Sequence, residues 1–478
     1  MASARITFNP NSSPGERAQL SGSRLINAIV EKLGTGEVIV KRAPGLTRAW
    51  TSSGSTSHCR GMVKVNETTI LALYNDFVDS VSLDGDGNPV PTFRGVLSGT
   101  DLVTLAINNA TTPDIVGVSP ERGAFVLSTT GAPSDYPDAD VGFPVSVCFV
   151  DGYFFFAYGN GVCRASGLNT TTINTLDSVV AQARPGGLVR CVGFNGQLFL
   201  FGHDFCEVFQ NTAEPSGFPF SRATVIQAGL ASVNAIAGFE GSFPSVLMWV
   251  SPTNIVYRLD GYQPTRISTP DVDRDLQKLT DKSGLRCFAF MNNGHAFFVM
   301  KCDEWCWVYD LTTGTWQERQ SYGSNTWRAE QSLYAFGDWL LGDNATGKIF
   351  NPSNDAYDED GDPLVYDVTS LPVDDFPQRQ TVARADFQIA PGSGIADSSL
   401  PQAVDPTILI SWSDDSGATF GRPVSRSLGK QGDYNRRIVI NRCGRTKAYG
   451  RQWNFVVSDP VYAGILGGVM FDTVQAAF

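Results

Sequence analysis

Val147-Cys148-Phe149-Val150-Asp151-Gly152-Tyr153-Phe154 is an apolar run, a two-residue turn and a second apolar run, the pattern of a β-hairpin. It is answered by Val189-Arg190-Cys191-Val192-Gly193-Phe194-Asn195-Gly196-Gln197-Leu198-Phe199. Arg286-Cys287-Phe288-Ala289-Phe290 then turns through Asn292-Asn293-Gly294 into Ala296-Phe297-Phe298-Val299. Leu333-Tyr334-Ala335-Phe336 likewise turns at Gly337-Asp338 into Trp339-Leu340-Leu341. The turn glycines Gly152, Gly196, Gly241, Gly294 and Gly337 lie 44, 45, 53 and 43 residues apart. A hairpin unit recurring at roughly 40–50 residues is the mark of propeller blades. Residues 233–238, 246–250, 255–259 and 265–268 give one unit four strand candidates, with Asp260-Gly261 as a turn. The spacing predicts blade material from about 61 to 350 and six or seven blades, with 102–145 fitting poorly.

The bulk properties agree with an all-β chain. Forty-eight glycines and 26 prolines set between short apolar runs favour turns over helix, and 272–279 is the best short helix candidate. With 478 residues, two or three domains are expected. A net charge of −12 argues against a surface that grips nucleic acid throughout, since such binding needs cations to displace counterions. It suits a wall past which DNA slides without sticking. Nine cysteines are scattered, several inside apolar strands (Cys148, Cys191 and Cys287) where they read as small buried hydrophobes, and free thiols in a reducing cytosol are expected. No secretory leader is expected, and no apolar run reaches the roughly 18 residues of a membrane span.

Composition divides the chain. Residues 1–40 read as an N-terminal arm of entering strands, 41–350 as the propeller, 351–380 as an acidic linker and 381–478 as a C-terminal β platform resembling a sandwich. Strands are expected at 381–389, 407–412, 437–441, 452–458 and 464–470.

Several clusters could carry chemistry. Ser413, Asp415, Gly417 and Phe420 form an Asp-box-like turn, in which the carboxylate accepts backbone N–H groups and the aromatic ring anchors the base; the structural role is preferred. Asp358, Asp360 and Asp362 alternate around Gly361 in a way that could wrap calcium, but a solvated acidic linker is preferred. His58, His203 and His295 have no Cys or His at metal spacing, and a hydrogen-bonded structural role is their default. A Ser–His–Asp site stays open, although no nucleophile elbow is present. Trp305, Trp307, Tyr309 and Trp316 read as packing between blades rather than a sugar platform. No cofactor is implied.

The most distinctive segment is basic. Nine lysines and arginines between Arg422 and Arg451 (Arg422, Arg426, Lys430, Arg436, Arg437, Arg442 and Arg445 among them) face one acid, Asp433. DNA contact is one reading. The preferred one is a subunit interface, with the acidic stretch 354–375 (Asp355, Asp358, Glu359, Asp360 and Asp362 within it) meeting this segment in a neighbouring copy.

Asp415-Ser416-Gly417-Ala418-Thr419-Phe420-Gly421, then Leu428-Gly429-Lys430-Gln431-Gly432-Asp433-Tyr434, Arg436-Arg437, Asn441-Arg442-Cys443-Gly444-Arg445, Phe455-Val456-Val457-Ser458-Asp459-Pro460-Val461 and Ile465-Leu466-Gly467-Gly468 follow in order. Near the other end stand Lys41-Arg42-Ala43-Pro44-Gly45-Leu46 and Arg60-Gly61-Met62. This order resembles packaged-DNA stabilisation (tail hub, or nozzle) proteins of short-tailed bacteriophages. The family's turn usually reads Asp-Gly-Gly with Trp, and its Arg-Leu-Gly is Arg442-Cys443-Gly444 here. The resemblance implies a virion protein without catalytic residues, assembled in the host bacterial cytoplasm. It implies a six-fold ring of copies below the portal and its adaptor ring, carrying tail fibres or spikes and a plug or needle. Double-stranded DNA would pass through that ring. The rival reading is a glycan-binding or sialidase-like propeller, which would want several Asp-boxes and a trio of arginines at the propeller mouth.

Overall fold

The computed structural model describes residues 3–16, 22–32, 34, 38–213, 217–374, 378–396 and 398–471. Seven four-stranded antiparallel units form the propeller. Blades 1 to 5 use residues 59–96, 104–135, 146–180, 188–226 and 236–266; blade 6 uses 286–318, and blade 7 uses 329–353 with one strand from elsewhere. The first strand of each blade is innermost, and that of blade 7 touches that of blade 1, closing the ring. Residues 102–145 fit the period poorly because the outer strand of blade 2 is only Ser134–Asp135. The rest of that stretch is a short turn of helix, Ala139–Val141, capped by the Asp138 side chain.

The repeated turns have one cause. Asp151-Gly152, Asn195-Gly196, Asn293-Gly294 and Phe336-Gly337 hold both residues at positive φ, the conformation that matches the twist of a tight hairpin. Gly241 is different: the inner strand of blade 5 is only Ile236–Ala237, and the chain pairs again only at Met248. The expected helix is Pro270–Lys278, opened by Pro270 and capped by Thr269. Trp307 and Trp316 are buried, 6.4 Å apart edge to face, and each gives its indole N–H to Asp275 or to the Ile267 carbonyl. They are core, and each such aromatic pair adds about 1 kcal/mol beyond its burial.

The missing strand of blade 7 comes from the N-terminus. Gly45–Thr51 pairs with Lys348–Ser353 and closes the propeller. The residues just before it explain the Lys41-to-Leu46 motif. Arg42 is buried and donates to the Val457, Asp459 and Val461 carbonyls at 2.6–2.7 Å. Pro44 accepts from Arg319, and Leu46 is buried. A Cβ on Gly45 would stand 2.4 Å from the Asp358 carbonyl, so only glycine lets the two chains approach there.

The first 40 residues are not a separate arm. They supply four strands to a two-sheet sandwich that the C-terminal region completes. One sheet runs Ala28–Lys32, Val38–Arg42, Gly464–Phe471, Thr381–Ile389, Ile438–Arg445, with Ser3–Ile6 also on Gly464–Phe471. The other runs Arg24–Ile26, Tyr366–Thr369, Gln452–Val457, Thr407–Ser413, Val424–Ser427. The apolar run 25–30 is split between both sheets by Asn27, at φ 51°, whose amide bonds Gln320 and Val365. Ile26 pairs in parallel with Glu318 of blade 6. That sheet therefore continues from blade 6 into the sandwich as nine strands, which fixes one part on the other. Side chains from both chain ends share the sandwich core, among them Ile6, Leu25, Val40, Phe387, Trp453 and Phe455.

Candidate assembly interface

The acidic stretch is built into its own chain. Asp358–Glu359 pairs in parallel with the closing strand at Leu46 and forms a small hairpin with Asp362–Pro363. Glu359 is buried, accepts from Ser321 at 2.5 Å and Trp327 at 2.8 Å, and faces Arg319 at 3.6 Å. Burial pushes its carboxyl up. Asp360 accepts from Arg48 and Lys348, both at 2.7 Å. Burial alone would raise its pKa, but hydrogen bonds from those two cations outweigh it and the net shift is downward. Asp362 lies 3.2 Å from Arg328, which also pairs with Asp343 at 2.8 Å. Residues 366–369 are a sandwich strand.

The solvated-linker expectation is thus corrected: the Asp358–Glu359 backbone and the Asp360 side chain latch the closing strand, while Asp355 and Asp374 are exposed to either side of the hairpin. The calcium reading fails on the same geometry, since the Asp360 carboxylate already accepts from two cationic side chains. No group of three His, Cys, Asp or Glu able to hold a metal occurs among the described residues. Asp375, the last acid of the stretch, lies outside them.

The basic segment has a different fate at each residue. Arg451 is buried, bidentate with Asp414 at 2.7 and 3.0 Å, and its guanidinium lies 5.4 and 5.5 Å from the rings of Trp412 and Trp453. It is a core residue. Arg426 is half-buried and donates to the Val439 carbonyl at 2.9 Å. It therefore ties Val424–Ser427, the last strand of one sheet, to Ile438–Arg445, the last strand of the other. Arg436 lies 3.4 Å from Asp433. Arg422, Lys430, Arg437, Arg442 and Arg445 are exposed and make no ion pair among the described residues. Tyr434 and Tyr449, 71% and 60% exposed, stand among them. Neither tyrosine stands out in the sequence as a surface group, although aromatics interleaved with cations are the available signal. The two edge strands, joined by Arg426, thus carry exposed cations and, in the loops next to them, exposed tyrosine rings. Charge on an edge strand also guards it against indiscriminate pairing.

The Asp-box-like turn sits on this same sandwich, outside the blades. Asp415 accepts from Ser413 at 2.7 Å and from the Thr419 hydroxyl and amide at 2.6 and 2.8 Å. These hydrogen bonds hold its carboxyl down to about 2. Gly417 takes φ 85° and donates to the Ser413 hydroxyl. Phe420 is exposed instead of anchoring the base. His295 is buried against Asp310 at 2.7 Å, and Asp310 also accepts from the Thr313 hydroxyl, so the pair sits in a hydrogen-bonded turn of blade 6.

The axis of the propeller is narrow. Arg190, Asn234, Glu240, Glu330 and Gln331 help to line an axial cavity of about 140 Å³. That has room for several waters, each of which needs about 10–15 Å³ of such space. A duplex whose major groove alone is about 12 Å wide does not fit. Burial raises the Glu240 carboxyl to about 7.

These features define a class: a seven-bladed β-propeller closed by an N-terminal strand and fused to a β-sandwich made from both chain ends. A family model described as "Bacteriophage P22 Gp10, beta-propeller" matches residues 26–356, and one described as "Bacteriophage P22 Gp10, beta-sandwich" matches 376–465. The chain belongs to this bacteriophage P22 Gp10 family of phage structural proteins. The propeller match begins at Ile26, ahead of the closing strand, as the topology requires. No curated protein matches the chain by sequence. Among solved structures, the WD40 β-propeller domain of Doa1 is 11% identical, with 64% of this chain and 97% of that one covered at a TM-score of 0.41. The computationally designed Ika8 protein is also 11% identical, with 70% and 100% covered at 0.37.

Proposed function

We propose that the chain is the repeating unit of a tail ring in a short-tailed phage virion. Six copies form a nozzle that attaches to the adaptor ring beneath the portal. The ring extends the DNA channel, retains the packaged genome until a plug or needle leaves, and carries fibres or spikes. The observation that carries this reading is a division of charge. Residues 59–353 hold 29 aspartates and glutamates against 18 lysines and arginines, while 381–471 hold 7 against 10, with the unpaired cations gathered on one sandwich margin. Complementary patches at different places on one chain give head-to-tail contacts, which close into a ring when the rotation permits. The narrow propeller axis directs DNA between copies instead of through a blade ring, and surplus carboxylates there repel phosphate.

Sedimentation of the purified chain at rising salt tests this. Going from about 0.1 M to about 1 M shortens the screening length from about 10 Å to about 3 Å. Closed rings at low salt should give way to single copies at high salt. Rings indifferent to salt would remove the charged seam, and an absence of rings at any salt would remove the function.

A further inference from the structure

The latch on blade 7 already engages Glu359, Asp360 and Asp362 of the carboxylates first expected to meet the basic margin, which leaves the margin room for another acidic partner. The topology supplies one. The sandwich joins the propeller at blades 6 and 7. In a ring of seven, the blade opposite the seam between those two is blade 3. Residues 102–180, which span blades 2 and 3, carry seven acidic side chains and two basic ones. This far rim is also apolar in places. Phe143 and Leu176 are 74% and 80% exposed. Phe143 rests on blade 2, where a Cβ on Gly123 would meet its ring at 3.3 Å. Leu176 is on the outer strand of blade 3, Ile173–Val180, against which the Ala139–Val141 turn lies. Asp135 and Asp140 are exposed beside them, Asp135 held 2.5 Å from Arg122.

We propose that the seam of the ring joins the cationic, tyrosine-bearing sandwich margin of one copy to the acidic, apolar-studded rim of blades 2 and 3 of the next. The proposal rests on the ring reading above and names the two surfaces that reading leaves open. Both chemistry and placement support it. Cations and tyrosine rings on one surface face carboxylates and bare Phe and Leu on the other. Phe143 and Leu176 add bare apolar area to that acidic rim. The two surfaces lie at opposite ends of one chain, as a head-to-tail contact demands.

Two variants test it. One carries Arg442→Glu and Arg445→Glu on the margin; the other carries Asp135→Asn, Asp140→Asn and Leu176→Asp on the rim. All five side chains are exposed, and circular dichroism melts matching the parent verify folding; Leu176→Asp alone serves if the triple variant does not fold. Each variant should lose ring formation, remaining a single copy in sedimentation. Mixed one to one, the intact rim of the first and the intact margin of the second should give dimers and nothing larger. Rings formed by the rim variant while the margin variant stays single would overturn this pairing and leave the ring reading standing. A parent chain that never forms rings would overturn the ring reading itself.

Discussion

In the propeller, almost every sheet is made of strands that follow one another in the chain, whereas both sheets of the sandwich draw on residues before 43 and after 365. Local pairing closes short loops and leaves a repeat in the sequence; distant pairing must first meet the entropy of a loop several hundred residues long. The exception within the propeller is blade 7, which waits for Gly45–Thr51. The two parts are separable in family matches, and the strands they share predict that they fold together. A chain of residues 59–353 alone should give no cooperative thermal transition, while residues 22–471 should melt in a single one. A sharp melt from the propeller fragment alone would break the comparison.

The two ends of the basic segment sharpen it further. Arg451→Met strands the Asp414 carboxylate and removes a cation packed between two tryptophan rings. Removing one partner of a buried pair costs about 3 kcal/mol. Arg442→Glu, on an exposed edge a few residues earlier, should change folding stability by under about 0.5 kcal/mol. Urea unfolding of the two variants checks the contrast, and equal losses would mean the margin is part of the fold rather than a surface for contact.

The smallest effects distinguish the two regions by pH. In the propeller, Glu240 has a folded pKa of about 7 against an ordinary 4.5, so the folded chain holds that proton more tightly. Its contribution to stability is complete below about 4.5 and is lost as pH rises through about 7. In the sandwich, Asp415 is held at about 2 against 3.8, so its contribution is present above about 3.8 and lost as pH falls through about 2. Glu240→Gln should therefore flatten the decline of Tm between pH 4.5 and 7. Asp415→Asn should flatten the acid limb alone. Melting curves of each variant across pH that shift both limbs together would contradict the separate assignments.

How much was legible in the sequence follows from the same contrast. Asp151-Gly152, Asn195-Gly196 and Asn293-Gly294 betrayed the blades because a two-residue turn with both φ positive restricts its residues so tightly. The C-terminal strands were readable by alternation, and 381–389 was placed to the residue. The N-terminal strands were seen as apolar runs but not as part of the sandwich, since pairing across hundreds of residues leaves no local mark. Asn27 broke one run into two strands of different sheets, which apolar periodicity cannot show. Net charge located the acidic and basic segments correctly. It did not show that Asp360 and Arg451 were already engaged within the chain, because partners such as Arg48 and Asp414 are fixed by the fold.

The central claim is that copies of this chain meet through the sandwich margin in a closed ring. Electron microscopy of the assembled protein is the most direct measurement. The expected image is a ring whose axis lies outside every propeller, with Arg437, Arg442 and Arg445 of each copy buried against its neighbour. A single particle, or a ring in which that margin faces solvent, would contradict it.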